Sequence, residues 1–232
     1  MPTAFHNAIL SALPATVVDA MELVSVPLRP RQVLYRAKEP IAQLDFIEQG
    51  VVSLVTILSD GGTTEGGMIG FEGLVGFRPL LGWDSAAQHA LVQLPGSAWR
   101  MTVETGIRLF AEVPEFRTQV LRFTGYFLSL GLQNAACNRL HSSVQRLARR
   151  LLMVSDRTPD ALNLTQEYLA AMLGVRRTGV TAIAQSLRRS GLIEYRHGLI
   201  TILDRAGLQT VACECYDFDS QYLRLIAEQA HH

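Results

Sequence analysis

Hydrophobic residues occur in short runs between positions 32 and 96, and glycine, proline and aspartate interrupt these runs repeatedly. Residues 51–58 are almost all β-branched or aliphatic, and a Ser-Asp-Gly-Gly turn at 59–62 separates them from a second run at 63–68. This arrangement predicts a β-hairpin. Because further turns follow at similar spacing, the region is predicted to be an all-β sandwich or jelly-roll barrel, whose interior can hold one small ligand.

The pattern changes to helical periodicity after Pro114, where an apolar seam recurs at alternating spacings of four and three residues. The seam consists of Phe116, Val120, Phe123, Phe127, Leu130, Asn134 and Cys137. Such a repeat, sustained over three heptads, predicts a coiled-coil-like dimer interface, in which a single asparagine can fix the register. The alternative is a helix packed on its own β-domain. Leu121, Leu128 and Leu132 offer a second apolar face for that packing, so one helix could serve both contacts.

A carboxyl-terminal domain is predicted to begin with a helix near residue 144, followed by a short loop at 155–163. Arg146, Arg149 and Arg150 lie on this helix, and we expect at least two of them on a solvated surface. The predicted boundaries are therefore 1–113 for the β-domain, 114–141 for the long dimerisation helix and 142–232 for the last domain.

Two short amphipathic helices separated by Gly174 follow the loop. Thr165 can cap the first helix, and Leu164 and Leu169 stand at the positions of a hydrophobic staple. The second helix is predicted to begin near Arg177 and to bury one apolar face. Its outward positions are Thr178, Thr181, Ala182 and Gln185, with arginines at the edges. Such a face suits the major groove of DNA, where the first turn reaches bases and the flanks reach phosphates. The alternative is a face that is merely solvated.

Apolar runs at 192–195 and 199–203 flank an Arg-His-Gly sequence at 196–198, and together they predict the hairpin of a winged helix-turn-helix. Arg196 at its tip could touch a phosphate. The side chains predicted to contact phosphates are Thr165, Arg176, Arg188 and Arg196.

Charge is distributed unevenly along the chain. The 21 basic and 21 acidic residues cancel overall, but residues 139–205 contain 11 arginines and only five acidic residues, a net charge of +6. A basic module joined to an acidic remainder is expected when only one module meets phosphates. Lys38 is the only lysine. Arginine suits phosphate and guanine recognition, although a GC-rich genome would also favour it.

Other classes of protein are disfavoured. Cys137, Cys213 and Cys215 are too few and too unevenly spaced for a disulfide scaffold or a four-thiolate iron–sulfur site. The Cys213-x-Cys215 pair could be a redox switch or a soft-metal ligand, or simply two small buried residues. We find no catalytic signature and no apolar run near the roughly 18 residues that span a bilayer. We therefore expect a cytoplasmic protein that is not an enzyme, with no evident cofactor or metal.

The carboxyl-terminal third resembles the DNA-binding module of the Crp/Fnr family of bacterial transcription regulators. The matching segments are Leu-Thr-Gln-Glu at 164–167, Leu-Ala at 169–170, Leu-Gly-Val-Arg-Arg at 173–177, Gly-Leu-Ile at 191–193 and Ile-Thr-Ile-Leu-Asp at 200–204. The resemblance covers essentially the whole chain, and it implies a cyclic-nucleotide-binding-type jelly roll, a dimer helix and a winged helix-turn-helix. It also implies that Arg177 reads guanine, with Thr178 and Thr181 near neighbouring bases. Many members carry glutamate where Thr178 stands, which leaves the operator sequence open.

The effector region departs from this family. Members that bind cyclic AMP hold its ribose with the glutamate of a Gly-Glu-Leu element and clamp its phosphate with an Arg-Ser or Arg-Thr pair. The similar stretch here, at 70–76, places Leu74 in the acidic position, and Ala-Gln-His-Ala at 87–90 replaces the clamp. Glu72 could restore the ribose contact, but a buried phosphate without a cationic partner loses most of its charge-assisted bonding. Cyclic AMP is therefore not expected as the effector. The amino-terminal cysteines that would ligate the iron–sulfur centre of oxygen-sensing relatives are also absent, so the effector is unknown.

These observations predict an α+β protein with a jelly-roll (cupin-like) domain, a long dimerisation helix and a winged helix-turn-helix domain. We expect a homodimeric transcriptional regulator whose partner is a pseudo-palindromic double-stranded DNA operator. An activator would also contact RNA polymerase, but no motif marks such a surface. The alternatives are a ligand-binding or protein-interaction module with a vestigial helix-turn-helix, and a regulatory subunit of an enzyme.

Overall fold

The computed structural model describes residues 5–158, 162–196 and 199–229. Its amino-terminal part contains two short helices and a six-stranded antiparallel sheet. The elements are α1 (Ala8–Ser11), α2 (Ala15–Asp19), β1 (Val24–Leu28), β2 (Val33–Tyr35), β3 (Gln43–Ile57), β4 (Thr63–Ile69), β5 (Leu74–Val75), a 3-10 turn (Arg78–Leu81) and β6 (His89–Thr102). The strand order is β1-β6-β3-β4, with β2 paired to β6 and β5 paired to β3. The all-β prediction is confirmed.

The hairpin predicted at 59–62 joins β3 to β4, with Ile57 opposite Thr63. Gly61 has a φ of +82°, in the left-handed region that glycine enters without a steric cost. The inner face of the sheet carries large apolar side chains, among them Phe46, Met68 and Leu74, which are fully buried. Buried residues of the sheet belong to one continuous hydrophobic core, and β3 is buried along most of its length.

Two helices follow the sheet, α3 (Val103–Glu112) and α4 (Pro114–Leu140). Pro114 occupies the first turn of α4, and Glu115 lies near the positive end of the helix dipole. The helix is 27 residues long and so extends about 40 Å at 1.5 Å per residue. It passes over the sheet and reaches the carboxyl-terminal domain.

The heptad seam of α4 faces the protomer's own sheet, which corrects the expected dimer interface. Phe116, Val120, Phe123, Leu130, Asn134 and Cys137 are buried, and Phe127 is half-buried. Two glycines permit this close approach, because an added Cβ at Gly67 would lie 2.9 Å from the Phe127 ring and one at Gly73 would overlap the Phe123 ring. The Asn134 amide is engaged within the chain, since it donates to the Gly66 carbonyl at 2.9 Å. These side chains are therefore occupied within one protomer.

The second apolar face of α4 is the exposed one. Leu121, Leu128 and Leu132 are 48%, 66% and 67% exposed. The seam was expected at the dimer contact and the leucines against the β-domain. In the structure the aromatic side chains of the seam fill the core and the leucines face outward. A heptad pattern specifies that one face is buried, but it does not specify which surface covers that face.

The carboxyl-terminal domain is mainly helical and contains a small three-stranded sheet of order β7-β9-β8. Its elements are α5 (Ser143–Ser155), β7 (Leu162–Asn163), α6 (Gln166–Leu173), α7 (Arg177–Arg189), β8 (Ile193–Arg196), β9 (Leu199–Ile202), α8 (Arg205–Val211) and α9 (Cys215–Gln229). Ser142 caps α5 through a capping box with Gln145. The order of helix, helix-turn-helix and wing matches the prediction.

Two buried arginines of the carboxyl-terminal domain form ion pairs with the sheet domain. Arg150 Nη1 lies 2.8 Å from Glu65 Oε1, and Arg157 Nε donates to Glu72 Oε1 at 2.9 Å. Arg149 is buried as well and donates to Asn134 Oδ1 at 2.9 Å. The expectation of a solvated surface for Arg149 and Arg150 is therefore wrong, because carboxylate and amide oxygens of other elements replace the water.

Candidate nucleic-acid interface

The first helix of the helix-turn-helix, α6, has well-defined ends. Thr165 is its N-cap and accepts a hydrogen bond from the Tyr168 N–H at 3.2 Å. Leu164 and Leu169, the predicted staple residues, are both buried. Gly174 ends the helix in a left-handed conformation with a φ of +62°. The sharp turn before α7 therefore follows from a capping threonine and a terminating glycine.

The second helix, α7, begins at Arg177 as predicted and buries a regular apolar stripe. Val180, Ala184 and Leu187 in that stripe are buried, and Ile183 packs partly against the same core. The opposite face is exposed and polar, with Thr178, Thr181, Ala182 and Gln185 along it. Thr181 Oγ1 is also 3.5 Å from the Gln166 amide nitrogen of α6. The packing of the stripe thus holds the short polar residues outward.

Arginines border this exposed face. Arg176, Arg188 and Arg189 lie at the surface, and Gln185 stands beside the last two. Arg177 occupies the first helical position, but its side chain lies outside the described residues, so its contact with guanine stays a prediction. The Thr165 hydroxyl accepts a bond as the cap of α6, and its phosphate contact also stays a prediction.

The wing consists of β8 and β9, paired in antiparallel register with Ile193 opposite Ile202. Arg196 stands at the last described position before its tip and is 70% exposed. Its Nε lies 2.7 Å from Glu194 Oε1, an exposed ion pair of the kind that contributes little to stability and exchanges readily with other partners. Residues 197 and 198 lie outside the described residues.

The buried arginines reduce the number of positive charges that this part of the chain exposes. Arg149, Arg150 and Arg157 belong to the 11 arginines counted between 139 and 205, yet none of them can reach a phosphate from the interior. Exposed arginines of this segment include Arg176, Arg188 and Arg189 around α7 and Arg196 on the wing. Sequence counting alone overestimates the basic surface because it cannot separate a buried arginine from an exposed one.

This domain has known relatives. The family model of the Crp-like helix-turn-helix domain matches residues 145–211. The transcriptional regulator SdrP of Thermus thermophilus is 28% identical over 194 residues, which cover 79% of this chain and 85% of SdrP. Residues 145–211 are therefore similar to the helix-turn-helix domain of Crp-like proteins.

Several solved structures share the fold of the larger part of the chain. FixK2 from Bradyrhizobium japonicum superposes with a TM-score of 0.71 at 16% identity, covering 82% of this chain and 98% of FixK2. TTHB099 from Thermus thermophilus, a regulator of the Crp family, gives a TM-score of 0.68 at 21% identity, covering 81% and 96%. At these identities the similarity concerns the fold, and it agrees with the predicted sheet domain and helix-turn-helix.

Glu72, which the sequence offers as a possible ribose contact, lies in the interior of the protein. Its Oε1 accepts hydrogen bonds from the Gly70 N–H at 3.1 Å and from Arg157 at 2.9 Å, and the side chain is buried. Arg157 also forms an ion pair with Asp219 of α9, with an Nη1–Oδ2 distance of 2.8 Å, and Tyr126 donates to the same carboxylate. Glu72 is therefore engaged by the chain's own arginine.

Burial and the neighbouring charges shift the pKa values of the groups in this network. Burial raises the pKa of Asp219, but the charge and hydrogen bonds of Arg157, the hydrogen bond from Tyr126 and the charge of Arg149 together lower it, so the net shift is downward. Burial raises the pKa of Tyr126 well above its usual value. Sequence reasoning missed the network because its members, Glu72, Tyr126, Arg157 and Asp219, lie far apart along the chain and form no motif. Within the described residues, no helix is long and apolar enough to cross a membrane.

Proposed function

We propose that this regulator binds double-stranded DNA as a homodimer at a pseudo-palindromic operator, and that cyclic AMP does not control it. The observation that carries the proposal is the exposed face of α7, whose threonine and glutamine side chains are short, polar and directed away from the core. Side chains of this kind donate and accept hydrogen bonds at base edges in the major groove. Thr178, Thr181 and Gln185 are exposed in the described part of the protomer.

The exposed arginines give the second line of support. Arg176 and Arg188 lie at the two ends of the α7 face, where a DNA backbone would cross the edges of the major groove. Guanidinium groups at such positions bind phosphates and anchor the protein without reading sequence. Thr178, Thr181 and Gln185, with Arg177 at the first turn, are then the residues that read bases.

The homodimer in this proposal uses the leucine face of α4. Leu121, Leu128 and Leu132 are spaced seven and four residues apart and stand on one side of the helix, and Gly125 between them leaves open space. Exposed leucines in a helical row are costly in water, because each fully buried leucine gains about 1.5–3 kcal/mol. To enter successive major grooves, the two recognition helices of such a dimer have to lie about 34 Å apart, one turn of DNA.

Independence from cyclic AMP is supported by two observations. Arg157 already neutralises Glu72, and both side chains are buried, so an incoming ribose would have to displace that ion pair. The segment 87–90 carries no cation that could clamp a phosphate, and His89 is half-buried. Calorimetric titration of the full chain with cyclic AMP should give no heat of binding, and saturable binding at micromolar concentration would contradict this part of the proposal.

The central experiment is a selection of random DNA duplexes by the full chain, without an added effector. We expect a palindromic consensus with half-sites one helical turn apart, and binding that weakens steeply with salt. Sequence-indifferent binding would contradict the proposal and favour a vestigial helix-turn-helix. If no DNA is retained, the selection is repeated with small-molecule extract, and continued failure also overturns the proposal.

Single substitutions then separate base reading from anchoring. Arg177→Ala should weaken specific binding by about 1–3 kcal/mol and relax the preference at one base pair. Arg188→Ala should weaken binding to all sequences alike and reduce the salt slope by about 1. Arg108→Ala on α3, which removes an exposed arginine of the other domain, is the matched control and should change neither quantity.

The dimer is tested separately by sedimentation equilibrium. Leu128→Asp places a charge in the proposed leucine contact and should shift the chain to monomer. Leu58→Asp, at another exposed leucine, should leave the dimer unchanged. A Leu128→Asp protein that remains dimeric would show that the leucine face is not the interface.

A further inference from the structure

Four metal-ligating side chains meet at the carboxyl-terminal end of α4. They are Cys137 near the end of that helix, His141 immediately after it, Cys213 between α8 and α9, and Cys215 at the first position of α9. Their ligand atoms all lie within 4.8 Å of one another. Since 76 residues separate Cys137 from Cys213, the fold rather than a sequence motif assembles the group.

The spacing of these atoms suits a tetrahedral ion. Zinc binds cysteine sulfur at about 2.3 Å and histidine nitrogen at about 2.0–2.1 Å, so tetrahedral geometry separates two sulfurs by about 3.8 Å and a sulfur from a nitrogen by about 3.6 Å. Cys137 Sγ and Cys213 Sγ are 3.5 Å apart, and Cys215 Sγ is 3.6 Å from His141 Nδ1. Three sulfurs and one nitrogen complete the four ligands of a structural zinc site.

The surroundings orient the histidine for this role. His141 Nε2 lies 3.1 Å from Glu214 Oε1, while Nδ1 faces the cysteine sulfurs. When Nε2–H donates to the carboxylate, the lone pair of Nδ1 is available to a metal. Metal-bound histidines in proteins commonly donate their second ring N–H to a carboxylate in this way. Gln133 also donates to Cys215 Sγ at 2.9 Å and holds that sulfur in place.

The charge balance supports a bound dication. Three thiolates with one Zn²⁺ carry a net charge of −1, and the charges of all three cysteines act on the buried Arg149 guanidinium. Burial and Arg150 lower the pKa of Arg149, and the cysteine charges act in the opposite direction. Arg149 Nε and Nη2 have no hydrogen-bond partner among the described residues, which is costly for a buried cation. An anionic metal centre nearby would offset that cost.

A disulfide explains the cluster less completely. Cys137 and Cys213 are close enough to be oxidised with a small movement, but a bond between them would use two of the four groups. It would leave His141, Cys215 and their partners Glu214 and Gln133 without a role. It would also remove the negative charge opposite Arg149.

We propose that Cys137, His141, Cys213 and Cys215 form a binding site for one Zn²⁺ ion per chain. Binding releases the thiol protons and forms three Zn–S bonds and one Zn–N bond. The ion would join the end of α4 to the connection between α8 and α9, and so tie the long helix to the domain that carries α7. The site does not depend on whether the chain binds DNA.

The test uses the full chain, reduced and stripped of metal by a chelator. Zinc is titrated against a chromophoric competitor, and Co²⁺ is then used as a spectroscopic substitute. We expect one ion per chain, with the thiolate charge-transfer absorption and the intense visible bands of tetrahedral cobalt. Less than one ion per chain, or a weak octahedral cobalt spectrum without thiolate absorption, would overturn the proposal.

Variants identify the ligands. Cys215→Ser and His141→Ala should each weaken zinc binding, and Glu214→Gln should weaken it about 10–100-fold by loss of the orienting carboxylate. His89→Ala removes another half-buried histidine and should bind zinc like the unsubstituted chain. If His141→Ala retains full affinity and an unchanged cobalt spectrum, the four-ligand site is wrong.

The unsubstituted chain provides a readout that does not require stable variants. Zinc should raise its thermal unfolding midpoint, because a ligand that binds only the folded state stabilises that state. A chelator should reverse the increase. Mass spectrometry of protein purified without reductant distinguishes the redox alternative, since a Cys137–Cys213 disulfide that forms quantitatively in place of metal binding would overturn the zinc site.

Discussion

Removal of the Arg157 guanidinium should destabilise the protein strongly, because this side chain neutralises two buried carboxylates at once. It bonds to Glu72 and Asp219, and its Nη1 also donates to the Met153 carbonyl at 2.9 Å. All of these groups are shielded from water. Breaking a buried ion pair by removing one partner costs about 3–5 kcal/mol, and we expect Arg157→Leu to lose at least that much at neutral pH.

The loss should depend on pH in a direction that the ion pairs determine. In the native protein the pKa of Asp219 is lowered, so its contribution to stability is present above the unfolded-state pKa and disappears as the pH falls through the folded-state value. Without Arg157, burial alone would raise that pKa. Protonation would then relieve the unpaired charge, and the difference in stability from the native chain should shrink as the pH is lowered.

Urea unfolding followed by far-ultraviolet circular dichroism, at several values between neutral and mildly acidic pH, measures both effects. Arg108→Leu is the control, because Arg108 pairs with Glu112 at 3.8 Å on an exposed surface where such pairs contribute about 0–1 kcal/mol. The double variant Arg157→Leu with Asp219→Asn should lose less than the sum of the single losses. A loss no larger than that of the control, or one independent of pH, would refute the reasoning.

Two further predictions concern the packing of α4 and the cap of α6. Gly73→Ala should destabilise the protein by about 1–3 kcal/mol, because the added methyl group overlaps the Phe123 ring. Gly179→Ala is the comparison: its methyl group faces open space within a helix, and the substitution should be neutral or stabilising by up to about 1 kcal/mol. Thermal unfolding checks this pair, and equal effects would contradict the close approach of the ring. Thr165→Ala should cost about 1 kcal/mol by removing the cap of α6. Thr181→Ala, at an exposed position of α7, should leave the unfolding midpoint unchanged, and a loss equal to that of Thr165→Ala would argue against the capping role.

The helix-turn-helix was predictable because its signals are local. A cap at Thr165, a left-handed glycine at 174 and an apolar stripe from Val180 to Leu187 each depend on a few neighbouring residues. The hairpin at 59–62 was predictable for the same reason, since its turn residues and flanking strands are contiguous. Helix caps, turns and amphipathic stripes are energetic preferences of short segments, and tertiary packing here agrees with them.

The packing of the long helix α4 could not be predicted from local sequence signals. Its sequence contains two apolar faces, and periodicity predicts both without assigning either to a partner. Gly67 and Gly73 determine which face packs on the sheet, because the absence of a side chain at these positions leaves room for the Phe127 and Phe123 rings. Both glycines lie far earlier in the chain than α4. The sequence pattern identified the residues of the seam correctly and assigned them to the wrong surface.

The sequence by itself thus determined the order of the elements, the sheet domain followed by a helix-turn-helix, and the outward face of α7. The tertiary structure decided which arginines are buried, which face of α4 remains exposed, and that Cys137 meets His141, Cys213 and Cys215. The physical reason is the range of the interactions. Caps and helical periodicity act within a few residues, whereas burial, ion pairing and metal coordination depend on segments that only the folded chain brings together.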